Sequence, residues 1–260
     1  LIARGIPAGK IDVVTNGVDL ERYHPEPADS AELRQSLGLE GQFVAGYIGT
    51  LGMAHHLETV LRAAQRIQEL DRENPDVQGQ RPLTILLVGD GARREELIAL
   101  SVELGLTNLR FIDAVPKDAV VAYWGLLDAG IIHVASNPVF ESVIPSKLFE
   151  CMAMGVPVLH GLRGESADLV REAGCGEVFE PDNVDQLVEA LQAWRRRDAD
   201  LRHYSDAGRR AARQYDRHAL ADRMLAILEE CANQPSRLTK SVRNDPARTR
   251  EQHATHTPRH

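Results

Sequence analysis

The chain has 260 residues, 43% hydrophobic and 26% charged, with a formal net charge of -8, the profile of an ordinary globular protein long enough for one large domain with appendages. Its acidic balance argues against a general nucleic-acid binder, whose affinity comes from neutralising phosphates, whereas a small anionic ligand needs only a local positive pocket. Cys151, Cys175 and Cys231 are isolated and lack CxxC spacing, which argues against a disulfide framework or a zinc site and fits a reducing, cytosolic compartment, and no apolar run approaches the ~20 residues of a membrane helix.

Residues 1–9 read as the end of a helix and its turn, and residues 11–14 as a short strand. Asn16-Gly17 is a turn, because both residues tolerate positive φ, and Pro25 and Pro27 carry the chain on without regular structure. Residues 30–37 predict a short helix ended by Gly38. Residues 42–48 form a strand whose apolar residues (Phe43, Val44, Ala45, Tyr47, Ile48) run nearly unbroken, as in a parallel sheet covered on both faces. Gly49-Thr50-Leu51-Gly52 is a glycine-spaced turn, and residues 56–73 a helix with Leu57, Val60, Leu61, Ala64, Ile67 and Leu70 at helical spacing.

The unit repeats: strand 83–88, turn Gly89-Asp90-Gly91 and helix 93–104, then strand 109–112 and a short helix at 117–124 with Pro116 suited to its first turn. Strand 129–134 leads into FESVIPSKLFECMAMGVPVLH at 140–160. Here Ile144, Pro145 and Ser146 open a helix, where backbone N–H groups lack partners and suit a phosphate. Lys147 adds a full charge. Glu150, three residues on and nearly on the same helix face, offers a carboxylate to sugar hydroxyls. The stretch reads as a seat for a diphosphate and a ribose.

Helix 165–173, strand 177–179 and helix 184–197 complete an alternation that means a doubly wound α/β sheet. Ligands of such sheets lie at the carboxyl ends of the strands, the edge from which segments 49–52, 112–116, 135–145 and 160–166 leave. His133 and His160 fall at strand ends, His133 satisfied by backbone or serving the pocket, while Trp124, Trp194, Met152 and Met154 read as core or domain-contact residues. Residues 201–215 and 219–231 read as two further helices, the second with Leu220, Met224, Ile227 and Leu228 on one stripe. Beyond residue 233 the composition is that of a disordered basic tail, whose histidines at 253, 256 and 260 lack metal-ligand spacing.

VVTNGVDLERYHP, YIGTLGMAHHLETVLRAA, LLVGDGARREEL, LRFIDAVP and IPSKLFECMAMGVPVL occur in an order and spacing that resembles the C-terminal, donor-binding half of retaining family 4 glycosyltransferases of the GT-B fold, and most of all the subgroup of O-antigen, capsule and exopolysaccharide assembly. The resemblance covers roughly residues 1–232. It implies a Rossmann-like donor domain at 26–215, preceded by a connection at 1–25 and followed by a C-terminal helix at 216–232 and the tail. It also implies that an N-terminal acceptor-binding domain of roughly 150–200 residues is missing from this chain.

Carried over by resemblance, Glu150 holds the nucleotide ribose, the segment from Ser142, Val143, Ile144, Pro145 and Ser146 to Lys147 holds the diphosphate, and Gly49, Thr50, Gly52 and His55 face the phosphates. Val115 falls where main-chain groups meet the base. Lys147 and Glu141 are the candidate catalytic residues. The chain departs from the family in three places: the acid expected eight residues before Glu150 is Ser142, with Glu141 one residue earlier, and Thr50 and His55 stand where many members have Arg and Lys. Lys147, His55 and Arg163 are therefore the cations left to meet the phosphates. No DxD cluster appears, and neither a metal nor a cofactor is expected beyond the nucleotide sugar itself. The implied reaction moves a sugar, with retention, from a nucleoside diphosphate sugar, by resemblance a UDP-sugar, to a hydroxyl of a lipid-linked or oligosaccharide acceptor, and it allows peripheral association with a membrane. The alternative is a stand-alone nucleotide-sugar binding module or an inactive fragment. A nicotinamide enzyme is disfavoured, because GTLGMAHH does not supply the G-x-G-x-x-G turn.

Overall fold

A computed structural model describes residues 1–25, 27–74, 79–196 and 199–233; the tail read beyond residue 233, with its histidines, lies outside the described residues. Six parallel strands form one sheet: β1 (Phe43–Ile48), β2 (Leu83–Val88), β3 (Leu109–Ile112), β4 (Ala129–His133), β5 (Val158–Gly161) and β6 (Gly176–Val178), in the order β3-β2-β1-β4-β5-β6. Strands β1, β2, β4 and β5 are buried along their whole length, which is what their unbroken apolar runs dictate for a sheet with no wet face.

Side chains of β1 alternate between two cores, as the two-residue strand period requires. Phe43, Ala45 and Tyr47 join Leu61, Ile67, Leu191 and Trp194 on one face, carried by α2 (Glu58–Glu73) and α7 (Val184–Trp194). Val44 and Ile48 join Trp124, Phe149 and Met152 on the other, carried by α4 (Val120–Gly125) and α5 (Ser146–Met154). The remaining helices are α1 (Pro27–Ser36), α3 (Arg94–Glu103), α6 (Glu165–Ala173), α8 (Arg202–Ala212) and α9 (Arg217–Asn233). None of the helices among the described residues is long and apolar enough to cross a membrane. The architecture is the Rossmann-like doubly wound α/β sheet expected from the sequence.

Chain direction across the sheet reverses between β1 and β4. Successive strands β1, β2 and β3 step one way, and β4, β5 and β6 the other. At such a switch point the loops leaving the two central strands diverge and open a crevice. The turn after β1 and the long loop between β4 and α5 are those loops here.

Three local readings are corrected, and the α9 stripe is found at the surface. Residues 11–14 are extended but not a strand, and Val13 is 64% exposed; apolar spacing supplies no strand without a sheet edge to pair with. Val18 instead makes an isolated parallel bridge to Asp216, its N–H donating to Tyr215 O (2.9 Å) and its carbonyl accepting from Arg217 N (2.9 Å). Pro116 lies one turn before α4, where its carbonyl accepts from Ala119 N and Val120 N, so the helix begins later than the proline suggested. Helix α7 stops at Trp194, and the next residue, Arg195, is buried and bonded to Asp71 and Gln80. The stripe on α9 is not core: Met224 and Leu228 are exposed, and no residue of this helix is buried.

Candidate functional site

Helix α5 begins at Ser146 behind Pro145, which is extended (φ -64, ψ 135) and gives no side-chain cap. Its first N–H groups therefore have no partner within the helix and present partial positive charge to the crevice. Leu148, Phe149, Cys151, Met152, Ala153 and Met154 are all buried, anchoring the helix, while Lys147 and Glu150 keep some access to solvent.

Lys147 reaches across the crevice to the end of β1. Its Nζ donates to the hydroxyl of Tyr47 (2.9 Å) and sits 4.3 Å from the centroid of that ring. The Tyr47 hydroxyl in turn donates to Thr50 O (2.7 Å). Gly49 has φ 141, and a Cβ there would lie 3.3 Å from both Cε and Nζ of Lys147, so the absent side chain is what lets the ammonium lie along the turn. Burial lowers Lys147 to about 8, against the pull of Glu150 in the other direction. It is charged at neutral pH and titrates just above it.

The other cations of the sequence contribute differently. Burial, and then the Lys147 charge, hold His55 down at about 4, so at neutral pH it offers a hydrogen-bonding ring and no charge. Arg163 is ion-paired with Glu180 (2.8 Å from Nε, 2.7 Å from Nη2). The turn thus depends on Lys147 and on backbone amides for positive potential. Gly52 is extended (φ -106, ψ 168), and a Cβ there would make ordinary contacts with Thr50 and His55.

Glu150 is raised by burial, opposed first by Lys147 and then by the Trp124 indole, the Tyr23 hydroxyl and Arg217. Those last three neighbours escape sequence reasoning, because they come from α4, from the segment before α1 and from the start of α9. Val115 lies in the loop after β3, partly buried against the same core as Trp124; the described contacts do not bring it to Lys147. Ser142 and Val143 are exposed, Ile144 and Pro145 half-buried, and Ser146 exposed at the first turn of α5.

Glu141 is exposed, but its backbone is fixed. Its carbonyl accepts from Glu165 N (2.9 Å), and a Cβ on Gly164 (φ 72) would come within 2.0 Å of that oxygen. The same loop is pinned at its other end, Ala135 N donating to Ala54 O (2.9 Å) and Ser136 N to Asp182 Oδ2 (2.9 Å). Asn137, Phe140, Glu141, Leu162, Arg163 and Pro181 line a cleft beside it.

His133, fully buried, has both ring nitrogens engaged by backbone: Nε2 accepts from Asp182 N (2.9 Å), which leaves the proton on Nδ1 to be donated to His55 O (2.8 Å). Burial lowers it further. It therefore ties the turn after β1 to the loop after β6. His160 is likewise buried, bonded to Ser166 (2.7 Å) and lowered to about 3 by burial. Among the described residues, no three His, Cys, Asp or Glu side chains are grouped to hold a metal ion.

The uncapped start of α5, the ammonium of Lys147 and the Gly49 turn thus lie together at the switch point, with a carboxylate one helical turn away. Comparison with known proteins identifies the company this geometry keeps. 2-Deoxystreptamine glucosyltransferase of Streptomyces kanamyceticus is 29% identical over 185 residues, 70% of this chain and 44% of the relative. WcaI of Escherichia coli K12, a glycosyl transferase assigned to colanic acid biosynthesis, is 27% identical over 202 residues, 74% of this chain and 45% of the relative. The chain thus spans less than half the length of these relatives. Anabaena Alr3699/HepE, solved with UDP and glucose bound, superposes with a TM-score of 0.70 at 21% identity, over 88% of this chain and 59% of that one. The family profile of the glycosyl transferases group 1 matches residues 29–214, and to that family the chain belongs.

Proposed function

We propose that this chain is the donor-binding part of a retaining glycosyltransferase of family 4 and the GT-B fold, taking a nucleoside diphosphate sugar, most readily a UDP-sugar, and passing the sugar to a hydroxyl of a lipid-linked or oligosaccharide acceptor. The observation that carries the reading is the convergence of Lys147, Gly49 and the α5 N-terminus on one anion seat at the switch point. UDP in a structural neighbour of the same fold supports the choice of base, and the colanic acid assignment of WcaI supports surface polysaccharide as the destination.

In the reaction the bond from the anomeric carbon to the diphosphate breaks, its electron pair leaves with the nucleoside diphosphate, and the acceptor oxygen, giving up its proton, takes the vacated carbon on the same face. Negative charge grows on the β-phosphate as that bond lengthens. Helix amides and an ammonium already in place meet the growing charge without rearranging, so they favour the transition state over the bound donor. Glu150 receives the ribose hydroxyls, Val115 and its neighbours receive the base, and Glu141 stands at the sugar end of the seat. A second domain presents the acceptor, and neither a metal nor a cofactor takes part.

Isothermal calorimetry with UDP, GDP and ADP and their glucose or mannose conjugates tests the reading. One nucleoside diphosphate series should bind, and Lys147→Ala should weaken it roughly 10- to 100-fold, the value of a hydrogen bond to a charged group. Absence of binding by all of them, or affinity unchanged in Lys147→Ala, overturns it.

A further inference from the structure

We infer that Tyr47 is a positioning residue of the donor site, whose hydroxyl aims the Lys147 ammonium along the Gly49 turn and couples that aim to the turn's own backbone through Thr50. The inference rests on the donor-site reading above and adds to it a residue that the sequence presents only as core. Tyr47 is fully buried in β1, among Phe43, Ala45, Leu57 and Leu61. Packing alone at such a position asks for phenylalanine, since a buried hydroxyl is costly unless satisfied. This one is satisfied twice, and both partners belong to the anion seat: it donates to Thr50 O at 2.7 Å and accepts from Lys147 Nζ at 2.9 Å.

The direction of these two bonds matters. A phenol has one hydrogen, and Thr50 O takes it, so the oxygen can only accept from Lys147. An ammonium always has a hydrogen to give, and it also gains from the ring face 4.3 Å away. Tyr47 therefore favours the protonated lysine in two ways. The other titratable groups facing Lys147 are Glu150 and Cys151 on α5 and His55 on the turn after β1. Glu150 favours the ammonium, while burial works against it. His55, tilted against the Tyr47 ring at 5.4 Å, adds no competing charge at neutral pH.

The test is the pH dependence of UDP, GDP and ADP binding from pH 6.5 to 9.5, in the wild-type chain and in Tyr47→Phe, which keeps the ring and its volume. In the wild type, affinity falls as pH rises through the Lys147 titration near 8. In Tyr47→Phe the ammonium loses an acceptor, so affinity at pH 7 should drop about tenfold and the midpoint of the fall should move to lower pH by about one unit. A merely structural hydroxyl would lower the melting temperature without moving that midpoint. If Tyr47→Phe does not fold, 3-fluorotyrosine at position 47, which keeps the hydroxyl but weakens it as an acceptor, should move the midpoint the same way by less. Wild-type and variant profiles that superimpose overturn the role of Tyr47 while leaving the donor site intact; absence of nucleotide binding by the wild type overturns the donor reading itself.

Discussion

His56 and Asp182, 126 residues apart, hold each other in left-handed backbone conformations, with His56 Nδ1 2.5 Å from Asp182 Oδ1 and φ values of 40 and 65. Among the described residues they are the two non-glycine positions with positive φ. Such a conformation costs on the order of 1 kcal/mol or more without glycine, so something must hold it. The Asp182 carboxylate does so from both oxygens, taking His56 on one and Ser136 N on the other, while its own N–H is held by His133. One side chain thus joins the turn after β1, the loop after β4 and the loop after β6, three edges of the crevice.

Replacing Asp182 separates the bonds from the backbone strain. Asp182→Ala loses both side-chain bonds and keeps the unfavourable φ, and should cost about 2 kcal/mol. Asp182→Gly loses the same bonds but relieves the φ, and should recover about 1 kcal/mol of that. Denaturant melts of the two variants check the order. Equal destabilisation would mean that position 182 stores no strain.

Acid should loosen the same junction. Burial raises the Asp182 carboxyl, but hydrogen bonds from Ser136 N and His56 outweigh it, and the net shift is downward. A carboxylate lowered on folding lends stability that is present above its unfolded value and lost as pH falls through the folded one. Protection of the Ser136 amide, taken relative to its intrinsic exchange rate at each pH, should therefore be high at neutral pH and fall as pH drops below about 4, whereas in Asp182→Ala it is low across the whole range.

Much of this architecture was legible in the chain. The unbroken apolar runs of β1, β2 and β4 and the glycine turns between elements are local patterns, and local patterns survive in a one-dimensional reading. The start of α5 was legible for the same reason, because its proline, lysine and glutamate fall within one short stretch. What the sequence hid is pairing across long separations. Tyr47 meets Lys147 100 residues away, and only the placement of β1 next to the crevice, set by strand order, brings them together. His55 reads as a cation in a list of residues, while burial makes it neutral in the fold. Residues 11–14 look like a strand because apolar spacing carries no information about whether a partner edge exists.

Lys147 should weaken the protein it serves. Its folded value of about 8 against an ordinary 10.5 means that burying its charge disfavours the folded state below pH 8. As pH rises from about 8 to about 10.5 the unfolded chain keeps the proton longer, so stability rises and the cost fades. Lys147→Met should raise stability at pH 7 by about 1–2 kcal/mol, discounted for the access this side chain keeps to solvent, and show little gain at pH 10.5. Thermal melts at the two pH values check it. Equal gain at both would place the effect in packing and not in charge.

Gly164→Ala tests whether the loop between β4 and α5 is rigid. The added Cβ would meet the Glu141 carbonyl at 2.0 Å, a backbone atom held by Glu165 N, at a φ of 72 that already disfavours alanine. Neither side can yield by a rotamer change. The loop or the start of α6 must shift, at a cost of about 2–4 kcal/mol. Under the proposed function the shift carries the α5 amides away from the diphosphate, so nucleotide affinity should fall by about tenfold or more. Affinity equal to wild type in a destabilised Gly164→Ala protein would show that the seat is set by α5 alone.

Under the proposed function, Glu150 provides the sharpest test of how the nucleotide lies. A carboxylate accepting from ribose hydroxyls distinguishes ribose from deoxyribose, whereas the phosphate seat at Lys147 does not. The wild type should bind the ribonucleoside diphosphate about tenfold more tightly than its 2′-deoxy counterpart, about the value of one hydrogen bond to a charged group. Glu150→Gln should bring the two affinities together, mainly by weakening the ribonucleotide, and Lys147→Ala should weaken both while preserving their ratio. Calorimetry on the six combinations decides it: a ratio unchanged in Glu150→Gln would place the ribose elsewhere and leave Glu150 as a half-buried acid balanced by Lys147, Trp124, Tyr23 and Arg217.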